Sequence, residues 1–212
     1  DGSVSVSTGA VEMGQGVKAK MREVAGRVFG IDRSRVRVEN TRTLTVANTS
    51  PTAASTGADL NGKATELACL QILHRLKEVA AKELGRDDPL AVEIRDEKVL
   101  YAGQPTDLIW GTLVSRVYVR RVSLSAQAHY ATPGIGFDLR TEKGEPFSYH
   151  AYGTGLAEVT LDCLRGTYRV DAVRVVHDLG PRLAPLVDRG QAEGGIVQGI
   201  GWLTCEEVLY SP

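Results

Sequence analysis

Valines alternate with serines at the start of the chain, where Val4 and Val6 flank Ser5 behind an Asp1-Gly2 turn, and this predicts a β-strand. Gly14-Gln15-Gly16 follows. Beyond it Val17, Met21, Val24 and Val28 recur at helical spacing and stop before Gly30, so the stretch is expected to be a helix. Val36 and Val38 alternate with Arg35, Arg37 and Glu39, as in a half-buried strand. Residues 48 to about 57 lack bulk and charge and read as a polar loop that lets backbone come close to a neighbour. The clearest helix comes next: Cys69, Ile72, Leu73, Leu76, Val79 and Ala80 form one stripe, and Gln71, His74, Arg75, Glu78 and Lys82 form the other. That leaves His74 on the wet face.

Residues 86 to 104 are charged and turn-rich, with a short strand at 99–101. Thr106-Asp107 offers an N-cap for a helix carrying Ile109, Leu113 and Val117. Val122, Leu124, Ala126 and Ala128 alternate as a strand, and residues 133 to 146 read as loop. Residues 157–162 and 168–173 flank a turn in which Gly166 supplies the special conformation, which predicts a hairpin. The strands follow one another directly instead of being joined by helices, so an α+β fold, with mixed sheets and packed helices, is favoured over a doubly wound parallel sheet. The change of texture near residue 85 divides the chain into 1–85 and 86–212, either two parts of one continuous domain or two small ones.

Composition narrows the class. With 42% hydrophobic and 24% charged residues this is an ordinary globular sequence. A net charge of -1 provides no field for nucleic acid or for a cationic partner. No apolar run approaches the ~20 residues of a membrane-spanning helix. Cys69, Cys163 and Cys205 are far apart and form no CxxC pair, so they cannot assemble a zinc or iron–sulfur site by themselves; they fit buried, reduced thiols in a cytoplasmic protein. The chain opens with neither Met nor a targeting segment, as expected of an internal piece of a longer protein.

Three segments could carry chemistry. Gly14-Gln15-Gly16 stands at a helix N-terminus, where unpaired N–H groups and the helix dipole favour an anion and Gln15 adds a donor and an acceptor; as bare pattern, such a segment is more often only a turn. Without a following Gly-Lys-Ser/Thr it is no phosphate-binding Walker loop. In residues 50–59, small and hydroxylated side chains leave backbone free to meet a polar ligand, although Ser55, Thr56 or Asp59 could simply cap the next helix. The third segment is residues 188–201. If Asp188 caps a helix, Gln191, Gly194, Gly195, Gln198 and Trp202 lie along one side, with Ile196, Val197, Ile200 and Leu203 along a core-facing side. Several helical glycines cost roughly 0.5–1 kcal/mol each relative to alanine, which suits a face that something approaches closely, a ligand or another helix. Acid–base candidates are poor: Glu12, Glu158, Glu193, Glu206 and Glu207 have no telling partner, and His129, His150 and His177 join no nucleophile constellation.

Thr8-Gly9-Ala10-Val11-Glu12-Met13-Gly14-Gln15-Gly16-Val17, then Asn48-Thr49-Ser50-Pro51-Thr52-Ala53-Ala54-Ser55-Thr56-Gly57-Ala58-Asp59-Leu60-Asn61-Gly62, then residues 188–201, resemble in order and spacing the molybdopterin-contacting segments of the xanthine dehydrogenase family. Residues 147–153 and 203–212 extend the likeness over nearly the whole chain, while about 85–121 carries no family motif. The resemblance implies that Gly14, Gln15, Gly16, Thr52, Ala53, Ala54, Ser55 and Gln198 contact the molybdenum cofactor, with Gln15 and the Ala54 backbone near the metal. It implies a metal held by the pterin dithiolene and by no protein side chain. It also implies a hydroxylase of xanthine- or hypoxanthine-type purines, with iron–sulfur clusters and FAD on other domains or subunits, a cytoplasmic location and an oligomer. The family's catalytic glutamate lies in a Gly-Glu motif beyond residue 212, so no catalytic residue is expected here and the piece alone should be inactive. Two alternatives stay open: an aldehyde or N-heterocycle oxidoreductase of the same family, and a non-catalytic packing domain.

Overall fold

The computed structural model describes residues 1–46, 49, 51–53 and 55–210. The chain divides into two compact units, Asp1–Ala131 with Leu183–Pro212, and Thr132–Arg182. The fold is α+β, with helices and small sheets.

The first unit opens with strand β1 (Val4–Val6), helix α1 (Val17–Phe29) and strand β2 (Val36–Val38); β1 and β2 pair in parallel, Val4 opposite Val36. Parallel pairing needs a crossover, and α1 supplies it, burying Val17, Met21, Ala25 and Phe29. Helix α2 (Gly57–Glu83) lies against α1 and turns the predicted stripe inward, with Cys69, Leu76, Val79 and Ala80 buried and His74 exposed beside Glu78. Three antiparallel strands follow: β3 (Val92–Arg95), β4 (Lys98–Tyr101) and β5 (Gln104–Ile109). They are joined by the two-residue turns Asp96-Glu97 and Ala102-Gly103, whose four residues all have positive φ, the geometry that matches strand twist. Helix α3 (Trp110–Val119) closes this part of the core with Trp110, Leu113 and Val117.

Three expectations for this stretch need correction. Thr106-Asp107 does not cap a helix: pairing with β4 carries β5 through Ile109, so α3 starts at Trp110, and the Thr106 hydroxyl donates to the Val99 carbonyl at 2.7 Å. Residues 122–128 form no strand. Val122 and Leu124 do pack against the core, but the Arg75 guanidinium takes the Ser123 and Ser125 carbonyls at 3.0 and 2.8 Å, where a partner strand would have been needed. Asp188 is not a first cap, because helix α4 (Pro185–Thr204) begins three residues earlier, with proline in its first turn.

The second unit contains a short hairpin, β6 (Gly136–Asp138) with β7 (Lys143–Glu145), inside the stretch expected to be loop. The Asp138 carboxylate organises its turn by accepting from Arg140 N–H and the Thr141 hydroxyl. The predicted hairpin is longer than its apolar pattern, β8 (Gly153–Asp162) with β9 (Thr167–His177). Gly166 sits in its turn at φ 65, and the Asp162 carboxylate accepts from Leu164 and Arg165 N–H. The register shifts at Glu158/Val159, leaving Asp171 without an opposite number. That one-residue bulge keeps Tyr168 and Val170 on the same side as Val173 and Val175, while Arg169, Arg174, Glu158 and Thr160 share the other.

Cys69 is buried, and burial pushes its thiol up to about 11, whereas Cys163 and Cys205 are exposed, contrary to expectation, because they lie in the β8–β9 turn and just past α4. No helix among the described residues is long and apolar enough to cross a membrane.

Candidate functional site

Residues 8–16 form a loop that is tied down at every turn by polar contacts. Thr8 is buried; its hydroxyl donates to Asn61 Oδ1 on α2 at 2.8 Å and accepts from Ala10 N–H. The Thr41 hydroxyl bonds the carbonyls of Thr8 and Ala10. Val11 N–H donates to Thr52 Oγ1 at 2.9 Å, which fastens the first segment to the second. Gly9 is required here, since a Cβ would stand 2.5 Å from the Thr49 hydroxyl. A cavity of about 20 Å³, room for roughly one water, opens between the two segments and is lined by Gly9, Ala10, Thr52, Gly57, Leu60 and Asn61 among others.

Gly14 and Gly16 lie at φ 104 and 76, the left-handed region, and turn their N–H groups toward the Glu12 carboxylate. Its Oε1 accepts from Gly14 and Gly16 N–H, each at 2.9 Å, and its Oε2 from Lys18 N–H at 3.0 Å. The expected anion site at this helix start is thus filled by the chain's own carboxylate. Partial burial pushes the Glu12 carboxyl up, but the Lys18, Gly16 and Gly14 N–H groups, with the Lys18 charge, outweigh it and hold the pKa below its ordinary 4.5. A lowered native pKa means this stabilisation is full above about 4.5 and is lost as pH falls through the folded value. A carbon-13 carboxyl titration is expected to give Glu12 a midpoint below 4.5, and a midpoint at or above that figure would show that the three N–H groups do not hold it.

Gln15, between the two glycines, spends its amide on its own loop: Nε2 donates to the Val11 carbonyl at 2.8 Å and Oε1 accepts from Met13 N–H at 2.6 Å. Thr52 is the hydroxyl that holds Val11. Ala53 is exposed, and its carbonyl accepts from the Thr56 N–H and hydroxyl. Ser55 is exposed at φ 58, and Ala54 lies outside the described residues.

The start of α4 reaches the same loop. A Cβ on Gly16 would lie 2.4 Å from Val187 Cγ1, and Lys20 pairs with Asp188 at 3.0 Å with both side chains mostly buried. The other Asp188 oxygen accepts from Ala184 N–H, so its role is to close the first turn of α4 and tie it to α1. Gln198 is exposed eleven residues beyond Val187, about 16 Å along the helix at 1.5 Å per residue, and makes no side-chain hydrogen bond among the described residues. Contrary to expectation, the apolar side of α4 is not core: no residue of the helix is buried, and Val197 and Leu203 are open. Ile196 and Ile200 are only half-buried, so an apolar pattern alone misleads here.

The structure therefore joins the first segment to the second and to the start of α4, and leaves Gln198 three turns away. Sequence reading missed Glu12 as an organiser, along with Asn61, Thr41 and the Lys20–Asp188 pair. In sequence Glu12 shows only as a carboxylate two and four residues ahead of two glycines at a helix start, and that spacing by itself assigns it no role.

Hydroxyls, a glutamine amide and glycine backbone are gathered on loops here, groups of the kind that hydrogen-bond a polar organic ligand, and the described residues hold no cluster of three or more potential metal-ligating side chains. The chain belongs to the molybdopterin cofactor-binding domain family, whose model matches residues 1–212. It is 41% identical over 212 residues to xanthine dehydrogenase/oxidase of Gallus gallus and 40% identical over 210 residues to xanthine dehydrogenase of Oryza sativa subsp. japonica. It spans 14% of the length of each of these relatives, which cover 100% and 99% of it. Quinoline 2-oxidoreductase from Pseudomonas putida 86 superposes with a TM-score of 0.79 at 24% identity, over 100% of this chain and 26% of that one. Aldehyde oxidoreductase from Desulfovibrio gigas gives 0.68 at 22%, over 93% of this chain and 19% of that one, so both show the shared fold.

Proposed function

We propose that this chain supplies molybdopterin contacts in a molybdenum-dependent hydroxylase of xanthine- or hypoxanthine-type purines. The observation that carries the reading is the convergence of the Gln15 loop on Thr52 and on the start of α4. Identity to xanthine dehydrogenases supports the purine branch over an aldehyde or N-heterocycle oxidoreductase. Gly14, Gln15, Gly16, Thr52, Ala53, Ala54, Ser55 and Gln198 are the proposed contacts, with Gln15 and the Ala54 backbone nearest the metal.

The donor set fits such a group, since neutral amides and hydroxyls suit a hydrogen-bonding pterin, while the Gly14 and Gly16 N–H groups stay with Glu12 and those residues would offer only close backbone approach; the metal would be carried by that ligand. When bound, the cofactor supplies the oxidation chemistry. The chain's own residues bind and orient. Gln15 presents an amide already fixed by Val11 and Met13, and Thr52 holds the loop that carries it. The glycines of α4 leave room: a Cβ on Gly190, Gly194, Gly195 or Gly199 would meet nothing within 4 Å. Residues 1–85 and 86–212 would be two parts of this cofactor domain, working in a cytoplasmic, oligomeric enzyme with the rest of the molybdenum subunit and with iron–sulfur and FAD domains or subunits.

The open glycine side of α4 also supports a second reading, a non-catalytic domain whose helix is a packing surface. Molybdenum and pterin analysis of the complete protein separates the two, since a packing domain would contain no stoichiometric metal. Within the hydroxylase reading, Gln198→Ala is expected to lower molybdenum occupancy without unfolding the protein, because Gln198 is exposed and supports no core contact. Unchanged metal content and activity would remove Gln198 from the contact set.

A further inference from the structure

We infer that Glu12 is a positioning residue: its carboxylate holds the backbone on both sides of Gln15 and so fixes where the Gln15 amide points. The inference rests on the proposed cofactor contact of Gln15. No sequence pattern assigns Glu12 this role, and as an acid or base it has no partner.

The geometry supports it at each atom. Two left-handed residues, Gly14 at φ 104 and Gly16 at φ 76, bracket Gln15 and turn their N–H groups to the same side. N–H groups gathered like this need an acceptor, and Glu12 meets three of them with two oxygens, at 2.9, 2.9 and 3.0 Å. Space is not what demands glycine at position 14, where a Cβ would meet nothing within 4 Å; the backbone conformation does. The Lys18 ammonium turns away to Asn40 Oδ1 at 2.8 Å, so among the described residues it is backbone N–H groups that hydrogen-bond the carboxylate. A charged acceptor makes stronger bonds than a neutral one, and the start of α1 favours negative charge. With residues 14 and 16 held, the two bonds of the Gln15 amide to Val11 and Met13 complete a closed loop, and Thr52 anchors that loop from outside. Loss of the carboxylate frees the frame on which the amide is mounted.

The test uses the complete protein with Glu12→Gln, Gln15→Ala and wild type side by side. Glu12→Gln keeps the shape but leaves one carbonyl oxygen for three N–H groups and sets an amide NH₂ against them. Amide exchange over residues 12–20, molybdenum and pterin content, and the electron paramagnetic resonance spectrum of the metal centre are the readouts. Glu12→Gln is expected to speed exchange at Gly14, Gly16 and Lys18 by roughly ten-fold or more, and to move occupancy and spectrum in the same direction as Gln15→Ala, as loss of a supporting residue does. If Gln15→Ala changes occupancy and spectrum while Glu12→Gln leaves both at wild type, Glu12 does not position Gln15 and only this inference fails. If neither variant changes them, Gln15 makes no cofactor contact, and the reading of the loop fails with the inference. Should Glu12→Gln not be recovered folded, Glu12→Asp keeps the charge one methylene short; a wild-type spectrum together with accelerated exchange would overturn the proposal, and a spectrum shifted toward that of Gln15→Ala would uphold it.

Discussion

Replacing Gly30 with alanine is expected to destabilise the first unit by more than about 3 kcal/mol, and denaturant unfolding beside a Gly85→Ala control measures it. Gly30 ends α1 at φ 64, with Ile31 N–H reaching back to the Gly26 carbonyl at 3.0 Å in the manner of a helix C-terminus closed by a left-handed residue. A Cβ there would stand 1.9 Å from the Ile94 carbonyl oxygen and 2.6 Å from its carbon. Both are backbone atoms of β3, and the Gly30 carbonyl accepts from Glu97 N–H in the next turn, so neither side can give way cheaply. Gly85 has nearly the same φ, 66, but its Cβ would meet nothing within 4 Å, so alanine there costs only the left-handed conformation, about 1–2 kcal/mol. Equal losses at the two positions would mean that α1 and β3 do not approach as described.

Trp110→Ala is expected to cost about 3–5 kcal/mol, the range for emptying a large aromatic site in a core. Trp110 is 2% exposed, its ring centroid lies 5.5 Å from that of Phe29, and its indole N–H donates to the Gly2 carbonyl at 2.7 Å. One side chain thus joins the beginning of the chain, α1 and α3. Trp110→Phe refills most of the volume but leaves the Gly2 carbonyl without its donor, and should cost nearer 1–3 kcal/mol. Unfolding curves for the pair decide: if phenylalanine proves as damaging as alanine, the hydrogen bond and not the packing dominates.

Where one helix or strand buries one side against the core, its residues announced it. The stripe from Cys69 to Ala80 is the buried side of α2, and Val4, Val6, Val36 and Val38 pair as strands because short alternation has few other solutions. Where a long-range partner decided the outcome, local pattern failed. Thr106-Asp107 is a good cap in isolation, but β4 claims it for a ladder; the Val122–Ala128 alternation is real, but Arg75 takes the carbonyls that a neighbouring strand would have needed. α4 failed differently, since glycines and apolar residues are spread around it and none of its residues is buried. At the candidate site, the family resemblance singled out the Gln15 loop and residues 52–55, where glycines and small residues alone favoured a plain turn and a helix cap. The contribution of Glu12 did not show, because the three atoms that bind it are backbone N–H groups, which every residue but proline carries.

The self-engaged amide of Gln15 sets a limit on recognition. A primary amide can donate twice and accept twice, and one valence of each kind is already taken by Val11 and Met13. What is left is a single hydrogen and a single lone pair, held in a fixed direction with the side-chain freedom already lost. If Gln15 makes the proposed contact, a guest there would meet a probe that tells a donor edge from an acceptor edge, and no rotamer search would add to the cost of its arrival.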